Sequence, residues 1–323
     1  MKKIVSVFCA TVFAPSMLFG QITTTRVTES TEPIKTAQYD STRNFLGRDV
    51  KGYIGQELYL NGVPNELRGF GYRDFYKEPN DMLVFNTTNI YNCCAPSNKF
   101  NSKYEGLAEK YFKVLDVTEY PKSYGKEHIL KLQEKTSEIV IYYKYNIQFE
   151  SSFPFIVVGF FEKLKQHIGQ TYIFGEIKQL NHFRDNPDLD MKTGKQIIFE
   201  IGKEWKCIDV TVSEKTYNLS MVFEDGAGQT LIAPYDRIVG DKKYHNIFNK
   251  VDADKYKAKF GKDTWNMILQ GKLKLGMTSQ MCILSWGMPN KINETITAGK
   301  KTEQWVYPNN YLYFTNGVLT AMQ

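Results

Sequence analysis

The chain has 323 residues, with 41 Lys+Arg against 35 Asp+Glu and 4 His; 42% of residues are hydrophobic, 24% charged and 14% aromatic. That much apolar material excludes wholesale disorder, and the length allows two or three domains. The formal net charge of +6 comes from lysines scattered among acids, with no block of like charge, so no nucleic-acid partner is expected.

Lys2 and Lys3 precede an apolar run, Ile4 to Phe19, and Gly20 supplies a small residue before Gln21. This is the pattern of a secretory signal peptide over residues 1–20, cut near Gly20/Gln21. The run is shorter than the ~20 residues needed to span a bilayer and contains Pro15. Loss of Lys2 and Lys3 takes the formal charge from +6 to +4. Cys9 lies inside the apolar run, too early for a lipid-modified N-terminus. An exported protein is expected, periplasmic or cell-surface associated, with no transmembrane segment after cleavage. Residues 21–43 are rich in Thr, Ser and Glu and read as a flexible leader.

An internal repeat follows. Asn44–Gln56 and Val158–Gln170 both end in Ile-Gly-Gln and run into aromatic-rich strands, Glu57–Leu60 and Thr171–Phe174. Phe112-Lys-Val-Leu-Asp-Val-Thr118 matches Trp205-Lys-Cys-Ile-Asp-Val-Thr211. Each unit then contains a hairpin: Leu130–Glu134 with Ile139–Tyr143, and Leu219–Phe223 with Thr230–Ala233. Two related antiparallel β units of four or five strands are expected, 44–150 and 151–250, each a partly open SH3-like barrel. Phe153–Phe161 reads as a buried strand entering a helix. The first unit carries about 21 extra residues within 61–104, an insertion with many Asn that suits either a binding loop or a neutral excursion.

Cys93, Cys94, Cys207 and Cys282 are the candidate disulfide residues, and an exporting compartment permits bridges. Four cysteines allow three complete pairings, and spacing does not choose among them. Cys93 and Cys94 can form a vicinal bridge or each seek a distant partner. Cys207 and Cys282 also suit buried apolar positions.

The C-terminal unit, 251–323, reads more sharply. Asp263 can cap a helix from Thr264 to Gln270 that ends at Gly271. Thr278 can cap a second helix, Ser279 to Trp286, with Gly287 as its C-cap and Pro289 blocking continuation. Strands are expected at Glu303–Tyr307, Tyr311–Thr315 and Val318–Met322, the last two joined by Asn316-Gly317.

Gly276-Met277-Thr278, Gly287 and Pro289, Trp305 and Tyr307, then Phe314 and Gly317 occur in that order. The pattern resembles the SmpA/OmlA (BamE-like) family over about 70 residues. The resemblance implies an α+β module of two helices on a three-stranded antiparallel sheet. It also implies a role in joining envelope protein assemblies. The same residues serve as caps, turns and core aromatics, so they define a scaffold more than a site.

The motifs of catalysis are missing from the sequence. His128, His167, His182 and His245 lack the spacing of a zinc site. Asp185, Asp188 and Asp190 resemble a calcium loop, but Lys192 stands where an oxygen ligand belongs and Gly194 is one place late. No nucleophile elbow, S-x-x-K or Walker loop occurs. No cofactor is expected. The expected function is a non-enzymatic protein–protein interaction or envelope-assembly role, with another envelope protein as partner. Two alternatives stand beside it. One is a peptidoglycan or carbohydrate-binding module using Trp205, Trp265, Trp286 and Trp305 as a stacking platform. The other is a hydrolase pairing Cys94 with His128 or His182.

Overall fold

The computed structural model describes residues 38–80, 82, 86–122, 125–177, 188–240, 244–297 and 299–323. The expected signal peptide and most of the leader lie outside the described residues. Within them the chain is β-rich, its strands arranged in several antiparallel sheets. No helix among them is long and apolar enough to cross a membrane.

The first half contains β1 (Glu57–Leu60), β2 (Phe75–Tyr76), β3 (Cys93–Ala95), β4 (Asn98–Ser102), β5 (Tyr111–Lys122), β6 (Gly125–Glu134), β7 (Val140–Tyr145) and β8 (Phe155–Val157). Six of these form one sheet in the order β2-β7-β6-β5-β1-β8, and β3 pairs with β4 outside it. Aromatic and β-branched residues favour the pleated backbone; in β7, Ile141, Tyr143 and Tyr145 alternate into the core. The second half contains α1 (Val158–Leu164), β9 (Thr171–Phe174), β10 (Lys203–Val212), β11 (Leu219–Asp225), β12 (Thr230–Pro234), α2 (Tyr235–Ile238) and β13 (Ile247–Asn249). Its sheet order is β12-β11-β10-β9-β13. Without β2, which the insertion supplies, the two sheets have the same strand order. The first sheet thus has six strands rather than four or five, because the insertion adds one at the β7 edge.

The likeness extends to hydrogen bonds. Gly55 (φ +80) and Gly169 (φ +88) lead into β1 and β9 through a left-handed backbone that favours glycine. Their N–H groups donate to Val114 O at 2.9 Å and Cys207 O at 2.8 Å. β5 and β10 each bulge there, between Val114 and Asp116 and between Cys207 and Asp209. In each, the aspartate accepts from the next backbone N–H, Val117 or Val210, at 2.8 Å.

Opposite the starts of β5 and β10, a buried acid at the end of β6 and of β11 heads the next hairpin. Glu134 accepts from the N–H groups of Thr136 and Ser137, both at 2.9 Å. Asp225 accepts from Ala227 at 2.9 Å and Gln229 at 2.8 Å. Lys110 lies 3.8 Å from Glu134 and Lys203 lies 2.8 Å from Asp225. Burial pushes both carboxyls up, but the turn donors and the lysines outweigh it and hold both below their ordinary values.

A single cluster of buried side chains runs through both sheets, from Leu58, Phe112 and Tyr143 to Trp205 and Phe223. Phe160 and Phe161 of α1 belong to it, so the strand–helix junction at 153–161 links the halves.

The C-terminal unit contains α3 (Lys250–Phe260), α4 (Lys262–Leu269), α5 (Ser279–Trp286), β14 (Lys291–Thr297), β15 (Lys300–Val306), β16 (Tyr311–Thr315) and β17 (Val318–Met322). The strands form one sheet in chain order. Three expectations are corrected here. The sheet has four strands rather than three, because residues 291–297 also pair with β15, from Lys291↔Val306 to Thr297↔Lys300. α3 precedes the two expected helices, its start capped by the Asn249 side chain, which accepts from Val251 N–H at 3.0 Å. Asp263 is in the first turn of α4 rather than at its cap, because Gly261 (φ +82) already breaks the chain between α3 and α4.

The unit is anchored to the second sheet. Trp265, Ile268 and Leu269 of α4 pack with Ile173 of β9 and Phe248 of β13. Glu176 N–H donates to Leu269 O at 2.7 Å. Gly175 allows this approach: a Cβ there would lie 2.5 Å from Leu269 O and 2.9 Å from Asn246 O.

Candidate functional site

The insertion is a folded bracket. A 3-10 turn, Asn65–Phe70, leads into Gly71, whose φ is +62. Tyr72 N–H then donates to Ser102 O at 2.9 Å and receives a bond back at 2.8 Å, fixing the β3–β4 hairpin. Arg68 reaches the second half of the chain, donating to Tyr217 OH at 3.0 Å with its guanidinium 4.8 Å from the centre of the Tyr104 ring. Tyr104 stacks on Tyr72 at 5.7 Å, and Tyr72 OH donates to Asn61 O at 2.6 Å. Asn61 donates in turn to Tyr217 O. Nothing in the sequence signals this bracket, since Arg68 and Tyr217 are 149 residues apart.

Cys93 and Cys94 form a vicinal disulfide in β3, across a cis peptide bond. In this state Cys94 has no thiolate to act as nucleophile. His128 is buried in β6, and His182 lies outside the described residues. As candidate disulfide residues, Cys207 and Cys282 are corrected: both are free. Each is fully buried, Cys207 in the core shared by the sheets and Cys282 in the C-terminal core. Burial pushes both thiols up to about 12, so both behave as apolar filler.

Asp185 lies outside the described residues, and Asp188 and Asp190 are buried. The Asp190 carboxylate accepts from the Thr193 hydroxyl at 2.5 Å, Thr230 N–H at 2.9 Å and Thr230 hydroxyl at 3.1 Å. It thus ties its loop to the start of β12. The Thr193 hydroxyl foremost, and then the Thr230 and Lys192 donors, hold its pKa down at about 2 against the opposing effect of burial. A depressed carboxylate stabilises the fold fully above its unfolded pKa of about 4 and loses that contribution as pH falls through the folded value. Asp190→Ala should therefore cost about 1–3 kcal/mol at pH 7 by leaving donors unmet. The difference from the parent should shrink as urea titrations move from pH 5 toward pH 2; a constant difference would exclude this linkage. Among the described residues, no group of three or more His, Cys, Asp or Glu converges to hold a metal ion.

The tryptophans do not form the surface platform required by the carbohydrate alternative. Trp205, Trp265 and Trp305 are buried, and Trp286 is half-buried, donating through Nε1 to Gly271 O at 2.7 Å.

The nine motif residues of the C-terminal unit converge where α5 meets the sheet. Gly276 (φ +91) donates to Leu319 O at 2.9 Å, and Leu319 N–H donates to Met277 O at 2.8 Å. The Thr278 hydroxyl caps α5, accepting from Met281 N–H at 3.4 Å. Ser279 N–H donates to Gly317 O at 2.9 Å, across the turn made by Asn316 and Gly317, both at positive φ. Gly287 ends α5, followed by Pro289, and its carbonyl accepts from Tyr307 OH at 2.9 Å. Trp305 and Phe314 pack beneath at 4.3 Å between ring centres. These residues position the sheet.

The face of the sheet away from the helices carries a row of polar side chains. Asn293 donates to Gln304 at 3.0 Å, Gln304 to Tyr313 OH at 3.2 Å, and Tyr313 OH to Gln323 at 3.2 Å. The β14 edge is open: all seven of its residues are exposed. Ile292 and Ile296 are 41% and 67% exposed, and Met288 just before them is 68% exposed. Ile292 lies opposite buried Trp305 and Ile296 opposite Lys301, so both isoleucines project on the Trp305 face. Lys301 pairs with Glu294 at 2.8 Å and Glu303 at 2.9 Å. The sequence signal for this edge is slight, with Ile292 and Ile296 four residues apart among Asn, Glu and Thr.

Comparison with known proteins adds no relative to this geometry: no family model, curated protein or solved structure matches the chain.

Proposed function

We propose that the chain is an exported, non-enzymatic assembly protein of the cell envelope that binds a protein partner through its C-terminal unit. In this proposal residues 251–323 are a SmpA/OmlA-like (BamE-like) module, and the two related β units are SH3-like scaffolds that carry it. The observation behind the proposal is the open β14 edge. An unpaired strand offers backbone donors and acceptors to another chain, and natural proteins usually blunt such edges. Here the edge keeps two exposed isoleucines beside it. Strand addition supplies affinity through the backbone and specificity through alternate side chains.

The test is cross-linking of the protein in envelope fractions, comparing the parent with an Ile292→Lys/Ile296→Lys variant. Both side chains are exposed, so folding should be unchanged. Capture of a protein partner by the parent and its loss from the variant is the expected result. Recovery of peptidoglycan fragments alone, equal in both, would overturn the assembly role.

A further inference from the structure

We infer that the β14 edge is self-complementary and takes β14 of a second copy of this chain, giving an antiparallel dimer with one continuous eight-stranded sheet. The inference rests on the proposed binding role of this edge and names its occupant.

The register follows from the ladder. Thr297 and Lys300 close the β14–β15 hairpin, and the pair that closes a two-residue hairpin exchanges hydrogen bonds; Lys301 O accordingly turns away, accepting from Asn316 N–H at 2.8 Å. The pattern alternates along the strand, so Ile292, Glu294 and Ile296 turn their backbone N–H and C=O groups away from β15. An arriving antiparallel strand must pair with these residues. A two-fold axis at Glu294 sets Ile292 opposite Ile296 of the second copy, and Ile296 opposite its Ile292. Two aliphatic cross-strand pairs then form on one face. On the other face Asn293 meets Thr295, and Lys291 meets Thr297, with no like charges opposed.

The same axis sets the two Glu294 side chains against each other. That is the one unfavourable pair in the register, and it is tempered because Lys301 already lies 2.8 Å from each Glu294 in its own copy. Shifting the axis by one residue, to Asn293, would set Ile292 against Glu294 and lose both aliphatic pairs. The pattern therefore selects the Glu294 axis. A seven-residue strand buries less than the ~1,200 Å² of a standard interface. The dimer should accordingly be weak, with a dissociation constant on the order of 10 μM.

Sedimentation equilibrium on the purified full chain tests the inference, with hydrogen exchange at low and high protein concentration. The parent should dimerise, with slower exchange at the amides of Ile292, Glu294 and Ile296 at high concentration. Ile296→Lys should weaken the dimer about tenfold, because it removes an aliphatic contact at two symmetric places. Glu294→Gln should tighten it about threefold by removing the like-charge pair. The opposite response to two changes two residues apart separates a specific register from general stickiness. Far-UV circular dichroism checks that each variant is folded. A parent that stays monomeric, while Ile292→Lys/Ile296→Lys still abolishes capture of a different protein, would overturn the self-pairing and leave the binding role standing. A monomeric parent whose capture is unaffected by that variant would overturn both.

Discussion

Trp205→Ala is expected to lower the unfolding free energy by about 3–5 kcal/mol, the range for removing a fully buried large aromatic. Trp205 is fully buried near the start of β10, opposite Tyr172 of β9 and Asp225 of β11. It stacks on Phe174 with ring centres 5.8 Å apart and touches Phe199 at 6.2 Å. The Lys203 ammonium lies 5.7 Å from the centre of its ring, beside the buried Asp225 carboxylate. Alanine would leave a void and open the Lys203–Asp225 pair to water. Trp205→Phe is the control. Among the described residues the buried indole N–H has no hydrogen-bond partner, so phenylalanine removes an unmet donor as well as some volume. It should cost about 1.5 kcal/mol or less. Urea unfolding of the three proteins reads both numbers. A loss below about 1 kcal/mol for Trp205→Ala would mean the second sheet is not packed around this ring.

Gly71→Ala should have the next largest effect, centred on the insertion. Gly71 has φ +62 and ψ −154, a region almost closed to residues with a side chain. A Cβ there would also overlap Ser102 O and crowd Ala95 Cβ at 2.8 Å. Backbone strain alone is worth about 1–3 kcal/mol, and the overlap would break the Tyr72–Ser102 bonds that seat the β3–β4 hairpin. The expected result is rapid proteolytic cleavage within 61–104. The second sheet should unfold at nearly its parental denaturant concentration. Cleavage no faster than the parent would show that the hairpin is held by other contacts.

Local signals in the sequence marked much of this architecture. Strands β1 and β9, helix α5, and the cap and turn residues Thr278, Gly287 and Gly317 depend on neighbours a few positions away. An aromatic-rich apolar run, a hydroxyl before a helix, or a glycine in a turn marks them directly. The repeated Ile-Gly-Gln and the paired Val-Leu-Asp-Val and Cys-Ile-Asp-Val segments pointed to related units for the same reason. They mark the glycine turn and the bulge, which bond each other in both sheets.

The misses have a different origin. α3 mixes lysine and aspartate around its whole circumference, so only Ala253, Tyr256 and Phe260 show which side packs. β14 is exposed along its length, and a strand without a buried face has no strong hydrophobic alternation to betray it.

By itself the sequence determined that this is a β-rich chain with a repeated strand pattern and a capped helix before a final hairpin. It also determined that the last two strands turn at Asn316-Gly317. Those properties follow from the conformational preferences of single residues and their near neighbours. Only the tertiary structure decided which cysteines bond, that three of the four tryptophans are buried, and that the insertion clamps one half to the other through Arg68 and Tyr217. It alone decided that β14 is an open edge with Ile292 and Ile296 beside it. Each of these depends on which residues meet across long stretches of chain, and hence on burial. Burial is a property of the packed whole, which no local stretch of sequence carries.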